Sequence, residues 1–300
     1  MTKYINQIKE DLNMTSSIII DSKIPKRNMN ELSVMNEMLD FTNAKILEIG
    51  CGNARRAEEI VSKKNINSFK AVEIDQVVHQ LNLSKKIDKL SFDSYSCEDI
   101  HEINNSFDIV FLLKSFHHVH PEKMNKGLQE INRVLKNDGF LYISEPIFHG
   151  NYNNVIKLFH NEKKVRKLAF EAIKLSIERN IFKSVKQYFY NSVLTLNSFE
   201  EFENNIIKST HTSHNLSQKL YKEVREKFES YKDMTKNPNY IISLLSPWLD
   251  ILLDRMQFLT PNAIQEEQKI AGSEQQCRDL KTSSGGQEII FEILKTLKTE

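Results

Sequence analysis

The 300-residue sequence has few cysteines and almost no excess of charge. Its three cysteines, Cys51, Cys97 and Cys277, are odd in number and share no spacing typical of metal ligands, which favours free thiols in a reducing compartment. The net charge of +1 gives no global reason to expect binding to nucleic acid or to an anionic membrane. Any basic surface must therefore be local.

The sequence also has no long uninterrupted apolar run. Its longest apolar stretch, 240–259, contains a proline and three charged residues, too many for a transmembrane helix. The first residues, Met1-Thr2-Lys3-Tyr4, do not begin an apolar signal segment. We therefore expect a cytoplasmic protein without a membrane span, and the 40% hydrophobic content is enough for it to bury a core.

The most informative stretch is 44–54, AKILEIGCGNA. Ala44–Ile49 is a short, mostly apolar run that indicates a buried strand of a parallel sheet. It ends in Gly50-x-Gly52, where glycines allow a sharp turn and let a ligand approach the backbone without a Cβ in the way. A helix after such a turn directs its free N–H groups at an anionic group. The stretch therefore predicts a site for a nucleotide-like cofactor.

A dinucleotide fingerprint requires a third small residue, and Arg55 stands at that position. Glu48, Gly50 and Gly52 instead resemble the first motif of the class I S-adenosylmethionine-dependent methyltransferases. Three later segments follow in the order of that family's motifs: FKAVEID, SFDIVFLLKSFHHV and EINRVLKNDGFLYISEP. Four motifs in the right order and at the right spacing make the resemblance strong.

The resemblance covers about 40–150 and 260–300. It implies an α/β, Rossmann-like fold with a seven-stranded, mostly parallel sheet flanked by helices, an antiparallel C-terminal strand pair and a helical lid insertion. The predicted divisions are a helical N-terminal cap at 1–40, a cofactor-binding core at 41–150 and 261–300, and an inserted helical lid and substrate region at 151–260.

Apolar periodicity gives the elements of the later part of the chain. The expected helices lie near 121–135 with a left-handed cap at Gly139, near 165–173, at 198–207, at 216–228, and at 240–259 with a kink at Pro247. The last two strands are expected at 275–281 and 287–294. Asp108 is expected to be structural, opening the fourth strand and holding backbone amides.

The resemblance implies S-adenosylmethionine as the cofactor. The residues it places against that cofactor are Glu48, Gly50, Cys51, Gly52, Glu73, Ile74, Asp99, Ile100 and Leu112. Glu73, which aligns better than Asp75, would accept hydrogen bonds from the ribose hydroxyls. Asp99 would bind the adenine amino group while Ile100 packs on the ring, and Glu98 is the alternative one position earlier.

Methyl transfer from a sulfonium is an in-line displacement at carbon, so the enzyme mainly positions the nucleophile and excludes water. A general base would also remove a proton from an oxygen or nitrogen nucleophile. By location, the base candidates are His117, Glu145 and His149. No metal is expected, because consecutive histidines such as His117 and His118 rarely point at one centre and no carboxylate shares a helical face with them.

The expected function is methyl transfer to an oxygen or nitrogen atom of a small-molecule acceptor, in specialised metabolism. The segment 155–190 carries nine Lys or Arg against three Glu. This surplus would suit an anionic substrate, an acidic carrier protein or RNA, although the solvated face of an amphipathic helix explains it as well. The alternatives are an RNA or protein methyltransferase, and a catalytically degenerate subunit that binds the cofactor for a partner. The oligomeric state is left open.

Overall fold

The computed structural model describes residues 27–208 and 214–231 and the backbone of 242–255. The helices, in chain order, are α1 Glu31–Met38, α2 Arg55–Lys63, α3 Gln76–Leu83, α4 Pro121–Val134, α5 Gly150–Ile156, α6 Lys163–Glu178, α7 Phe199–Phe202 and α8 Gln218–Glu229. A 3₁₀ turn spans Phe116–His118 and a π-helical turn spans Glu203–Ile207. The strands are β1 Lys45–Ile49, β2 Ser68–Val72, β3 Leu90–Asp93, β4 Phe107–Leu113, β5 Leu135–Pro146, β6 Phe182–Leu196 and β7 Ile242–Arg255.

The strands form one sheet in the order β3-β2-β1-β4-β5-β7-β6. The five strands β1 to β5 are parallel, whereas β7 is antiparallel to both β5 and β6. The parallel pairs that are consecutive in the chain, β1–β2, β2–β3 and β4–β5, are each joined through a helical crossover. The predicted fold class is therefore confirmed, including a mostly parallel sheet with an antiparallel pair at one edge.

Alternation along the strands divides the core between the two faces of the sheet. Ile46 packs with Phe69 and Phe111 on the face covered by α1 and α2. Leu47, the next residue of β1, packs with Val110 on the face covered by α4 and α6. Because successive side chains of a strand point to opposite faces, β1 must be apolar at both positions, and it is buried from Ile46 to Ile49.

Asp108 has the structural role predicted for it. Its Oδ2 accepts a hydrogen bond from the backbone N–H of Lys45 at 2.8 Å, and its Oδ1 accepts one from the Lys136 side chain at 2.5 Å. The first contact ties the start of β4 to the start of β1, which lies beside it in the sheet.

Two expected elements near the sheet are wrong. The helix α4 ends at Val134 without a left-handed cap at Gly139, which lies within β5 and is not among the described residues with positive φ. The segment 240–259 was expected to be helical, but Ile242–Arg255 is a strand between β5 and β6. The apolar residues of this segment fall in runs and do not alternate strictly, so the sequence has no clear period and resembles a buried helix.

The antiparallel pair thus comes from β6 and β7, inside the segment expected to be a purely helical lid. The strands expected at 275–281 and 287–294 lie outside the described residues. The helices expected near 165–173, 198–207 and 216–228 are confirmed as α6, as α7 with the π-helical turn, and as α8. In the described part of the chain, no helix has both the length and the apolar character needed to span a membrane.

A third apolar cluster is formed by helices that follow β5 and by the end of β6. The aromatic rings of Phe199, Phe202 and Phe228 lie 4.8–5.8 Å apart between centroids, and Val155 of α5 is buried with them. This cluster joins α5, α7 and α8 through contacts of their own. It therefore holds the helices of the predicted lid region together.

The buried side chain of Asn132 generates a prediction about stability. Asn132 is 5% exposed, and its Nδ2 donates to the carbonyl of Ile181, just before β6, at 2.7 Å. Asn132→Ala removes this bond and leaves the carbonyl without that donor, so we expect a loss of about 1–3 kcal/mol in the free energy of unfolding. Urea unfolding with Gln129→Ala as the control measures it, since Gln129 is exposed on the same helix. Equal stability of the two variants would contradict the prediction.

Candidate active site: a cavity with cofactor and acceptor halves

The strand order reverses between β1 and β4, and open α/β sheets bind ligands at the carboxyl ends of the strands beside such a point. A cavity of about 1790 Å³ lies there. One side is formed by the turn after β1 and the end of β2, and the other side by residues of α5, α6 and the 3₁₀ turn. Sites for one small molecule are commonly ~300–1,000 Å³, so this cavity has room for two ligands side by side.

The turn after β1 depends on Gly50. Its φ is +74°, and an added Cβ would lie 2.6 Å from the Cβ of Ser115. The backbone N–H groups of Gly50 and Cys51 both donate to the carbonyl of Val72 at 2.9 Å. The Ser115 hydroxyl donates to the carbonyl of Ile49 at 2.8 Å. The turn is therefore fixed to the end of β2 and to the residues after β4, as the two-glycine motif predicts.

Glu73 lies against this turn at the end of β2. Its Oε2 accepts a hydrogen bond from the Gly52 N–H at 2.7 Å, and its Oε1 accepts one from the Asp75 N–H at 2.9 Å. A carboxylate can accept about four hydrogen bonds, so capacity remains for the two hydroxyls of a ribose. Asp75 instead caps α3, accepting from the N–H groups of Val77 and Val78. The two acids thus have separate tasks, in agreement with the choice of Glu73.

The residues expected around the adenine are only partly brought together. Ile74 is 62% exposed and lines the cavity, so an adenine ring has an apolar surface to cover. The Asp99 side chain is 76% exposed, faces His101 at 3.5 Å and is not among the lining residues, whereas Ile100 is buried in the core. Glu98 lines the cavity. Of the two carboxylates considered for the adenine, Glu98 is therefore the one at the cavity, and its role stays a prediction.

Glu48 is buried beneath the turn with an unusual electrostatic environment. The side chain is 2% exposed, and its Oε2 has no hydrogen-bond partner within the described residues. Burial, together with the negative charge of Glu31, raises the pKa of Glu48 to about 8. Burial also acts against ionisation of Glu31, but Lys114 and Arg56 outweigh it and lower the pKa of that carboxyl.

These residues fit S-adenosylmethionine. The orphaned oxygen of Glu48 is an acceptor for an amino group, and the nearby Arg56 and Lys114 side chains, both of which line the cavity, would attract a carboxylate. Both groups occur at the methionine end of that cofactor. Leu112 and Cys51 also line this half of the cavity, as expected.

The other half of the cavity contains a group of histidines and acids. His117, 4% exposed, lies in the 3₁₀ turn after β4, with its Nδ1 2.5 Å from Glu145 Oε2 and its Nε2 3.6 Å from Glu162 Oε1. The other oxygen of Glu145 accepts from the Phe116 N–H at 3.0 Å. Burial alone would lower the pKa of His117, but Glu145 and Glu162 outweigh it and raise that pKa to about 9. The pKa of His118 is lowered by burial and by the adjacent charge of His117.

Glu162 precedes α6 and is the residue that sequence reasoning missed. Its Oε2 accepts from the Arg166 guanidinium at 2.5 and 3.1 Å, and its Oε1 lies 2.8 Å from His160 Nε2. Burial opposes the charge on Glu162, but His117 and Arg166 hold its pKa well below the usual range. Of the three predicted base candidates, His117 and Glu145 are in contact. His149 is exposed and is not among the residues that line the cavity.

Comparisons with known proteins identify a methyltransferase domain in this chain. A family model described as a methyltransferase domain matches residues 47–143, which include the turn after β1, Glu73 and the 3₁₀ turn. A search of curated proteins finds no match.

Among solved structures, YcgJ of Bacillus subtilis is 16% identical with a TM-score of 0.52, covering 76% of this chain and 98% of its own. The BH2331 protein of Bacillus halodurans C-125 is 14% identical with a TM-score of 0.51, covering 76% of this chain and 99% of its own. At such identities the two structures show the fold alone.

The buried Glu48 generates a prediction about pH. Because its pKa is higher in the folded protein than in an unfolded chain, the folded state holds the proton more tightly. The folded state is therefore relatively destabilised as pH rises from about 4.5 to about 8. The full effect is on the order of 5 kcal/mol. Glu48→Gln removes the titrating group, so its melting temperature relative to the native protein should rise between pH 5 and pH 8.5. A difference that does not change with pH would contradict this assignment.

Proposed function

We propose that this chain, a class I S-adenosylmethionine-dependent methyltransferase with its methyltransferase domain at residues 47–143, transfers a methyl group to an oxygen or nitrogen atom of a small molecule. The observation that carries the proposal is the second half of the cavity, which adjoins the cofactor half. It is lined by the apolar side chains of Ile156, Phe159, Leu194 and Ile206 and by a larger set of polar side chains that includes His117, His118, His160, Glu162 and Arg166. A concave site in which apolar walls accompany convergent polar groups is typical of small-molecule binding.

S-adenosylmethionine supplies, when bound, a methyl group on a positively charged sulfur. We propose that the turn at Gly50–Gly52 and Glu48 hold its methionine end, that Glu73 binds the ribose and that Ile74 and Glu98 contact the adenine. The acceptor would lie against the apolar walls on the other side. These residues would bring the two reactants together and exclude water, which is the main requirement for displacement at carbon.

The three base candidates differ in what their surroundings allow. His117 has one ring nitrogen on Glu145 and the other facing Glu162, so neither nitrogen is turned freely towards an acceptor. Glu145 is engaged by His117 and by the Phe116 N–H, which makes it a positioning residue in this proposal. His149 lies away from the cavity lining. We therefore assign proton removal to none of the three alone.

The basic segment 155–190 gives weaker support to RNA or an acidic carrier protein as partner. Two of its cations are used internally, since Arg166 binds Glu162 and Lys174 lies 3.8 Å from Glu178. The remaining surplus suits the solvated face of α6. A degenerate subunit is also disfavoured, because Glu48, Glu73 and the glycines of the turn are all in place around an open cavity.

Calorimetric titration tests the cofactor assignment. We expect S-adenosylmethionine and S-adenosylhomocysteine to bind and NAD not to bind. Glu73→Ala should weaken the binding of S-adenosylmethionine and of S-adenosylhomocysteine by roughly 10- to 100-fold, because it removes charge-assisted hydrogen bonds to the ribose. Glu122→Ala is the control, since Glu122 is exposed. Binding of NAD, or unchanged affinity in Glu73→Ala, would overturn the assignment.

The adenine contact has its own test. We expect Glu98→Ala to weaken S-adenosylhomocysteine binding several-fold, because Glu98 lines the cavity, while Asp99→Ala leaves the affinity unchanged. The two variants remove neighbouring carboxylates, so each is the control for the other. Weaker binding in Asp99→Ala alone would restore the original assignment of Asp99.

A further inference from the structure

We propose that His117, His118 and Glu162 form a binding site for a divalent transition-metal ion in the acceptor half of the cavity. One donor atom from each of the three side chains lies within 4.8 Å of the others. Two donors come from the 3₁₀ turn after β4, and the third comes from the residue before α6, more than forty positions later. The fold therefore brings together ligands that the sequence keeps apart.

The distances between donors are near those of a metal site. Nitrogen and oxygen ligands lie about 2.0–2.2 Å from zinc, so two ligands of a tetrahedral ion are roughly 3.3–3.5 Å apart. His117 Nε2 is 3.6 Å from Glu162 Oε1, close to that separation. His160 Nε2 lies 2.8 Å from the same oxygen, a hydrogen-bond distance, and His160 is outside the group of three converging donors.

The proposed ligands also make the kind of hydrogen bonds that orient metal-binding side chains in known metal sites. A histidine ligand usually gives its second nitrogen to a carboxylate, which fixes the ring and its tautomer. Here a carboxylate oxygen of Glu145 accepts a hydrogen bond from Nδ1 of His117 at 2.5 Å, so the other ring nitrogen, Nε2, is directed towards Glu162. Arg166 binds the Oε2 of Glu162 and leaves its Oε1 towards the histidines. The side chains of His117 and Glu162 are therefore each oriented by a contact on the side away from the proposed ion.

The local charge and the position both favour a cation with an open coordination side. An ion bound to Nε2 of His117 would displace a proton from that ring, and with neutral imidazoles the carboxylates of Glu145 and Glu162 would then outnumber the guanidinium of Arg166. His117, His118 and Glu162 all line the cavity, so an ion bound to them would face the acceptor. Imidazole together with carboxylate suits zinc, iron and cobalt, and three protein ligands with an open position are typical of catalytic metals.

Such an ion would give the acceptor site a function that its side chains lack. A bound divalent ion lowers the pKa of a hydroxyl or water that it coordinates, and it orients that group. An acceptor hydroxyl held in this way would lose its proton more readily to solvent water, and the resulting oxygen would be a better nucleophile without a side chain acting as the base. This role rests on the proposed function, whereas the binding of the ion does not.

The test is calorimetric titration of tag-free, chelator-treated protein with Zn²⁺ and with Co²⁺, combined with metal analysis after dialysis. We expect saturable binding of about one ion per chain. His118→Ala and Glu162→Gln should each weaken it at least tenfold, and Glu145→Gln should weaken it about 10- to 100-fold through loss of the outer contact. His120→Ala is the matched control, because its side chain is 64% exposed and it is not part of the donor group. Thermal unfolding establishes that each variant is folded.

S-adenosylhomocysteine binding is measured on the same preparations. If it binds while neither metal ion does, the metal site is overturned and the proposed function stands. If the ions bind with the expected losses in His118→Ala and Glu162→Gln while S-adenosylhomocysteine does not bind, the metal site stands and the proposed function fails. Metal binding of equal strength in the native protein and in folded His118→Ala and Glu162→Gln would also overturn the site.

Discussion

The close approach of Gly50 to Ser115 is the constraint on which both halves of the cavity depend. At this position even a methyl group would meet the Ser115 side chain at 2.6 Å, and the φ of +74° is strained for any residue with a Cβ. The contact joins the end of β1 to the residues after β4, where the strand order reverses. On one side of it Gly52 donates to Glu73, and on the other the 3₁₀ turn with His117 begins one residue after Ser115. A single tight contact therefore sets the position of the cofactor residues relative to the acceptor residues.

The pKa of Glu48 and the pKa of His117 are both raised, which favours the neutral form of the acid and the charged form of the histidine. Glu48 has a like charge nearby and an oxygen without a partner, so burial and Glu31 favour its neutral form. His117 is also buried, but two carboxylates face its nitrogens, and they favour its charged form. Burial disfavours charge in both cases, and the neighbouring groups decide which form is kept. The cofactor half thus presents a neutral acid, whereas the acceptor half has charges that are already paired.

Sequence reasoning succeeded where the evidence is local. The strand Lys45–Ile49 and the turn at Gly50 each depend on a few consecutive residues, and the structure has both. The choice of Glu73 over Asp75 for the ribose stays a prediction, which is supported by the place of Glu73 against the turn while Asp75 caps α3. The sequence does not predict β7, because its apolar residues fall in runs whose period is ambiguous between a strand and a helix. The choice between Asp99 and Glu98 stays a prediction, since a shift of one position in a loop cannot be detected from the sequence.

Glu162 shows the other limit of the sequence. The sequence predicts no metal at the two adjacent histidines, because consecutive residues rarely point at one centre and no carboxylate shares a helical face with them. The carboxylate instead comes from the start of α6, which packs near the 3₁₀ turn only in the folded chain. The hydrogen bond between His117 and Glu145 argues against either residue as a separate base, because each is engaged by the other. Donors that converge on one point, together with base candidates that already engage each other, are what supports the proposed cation site.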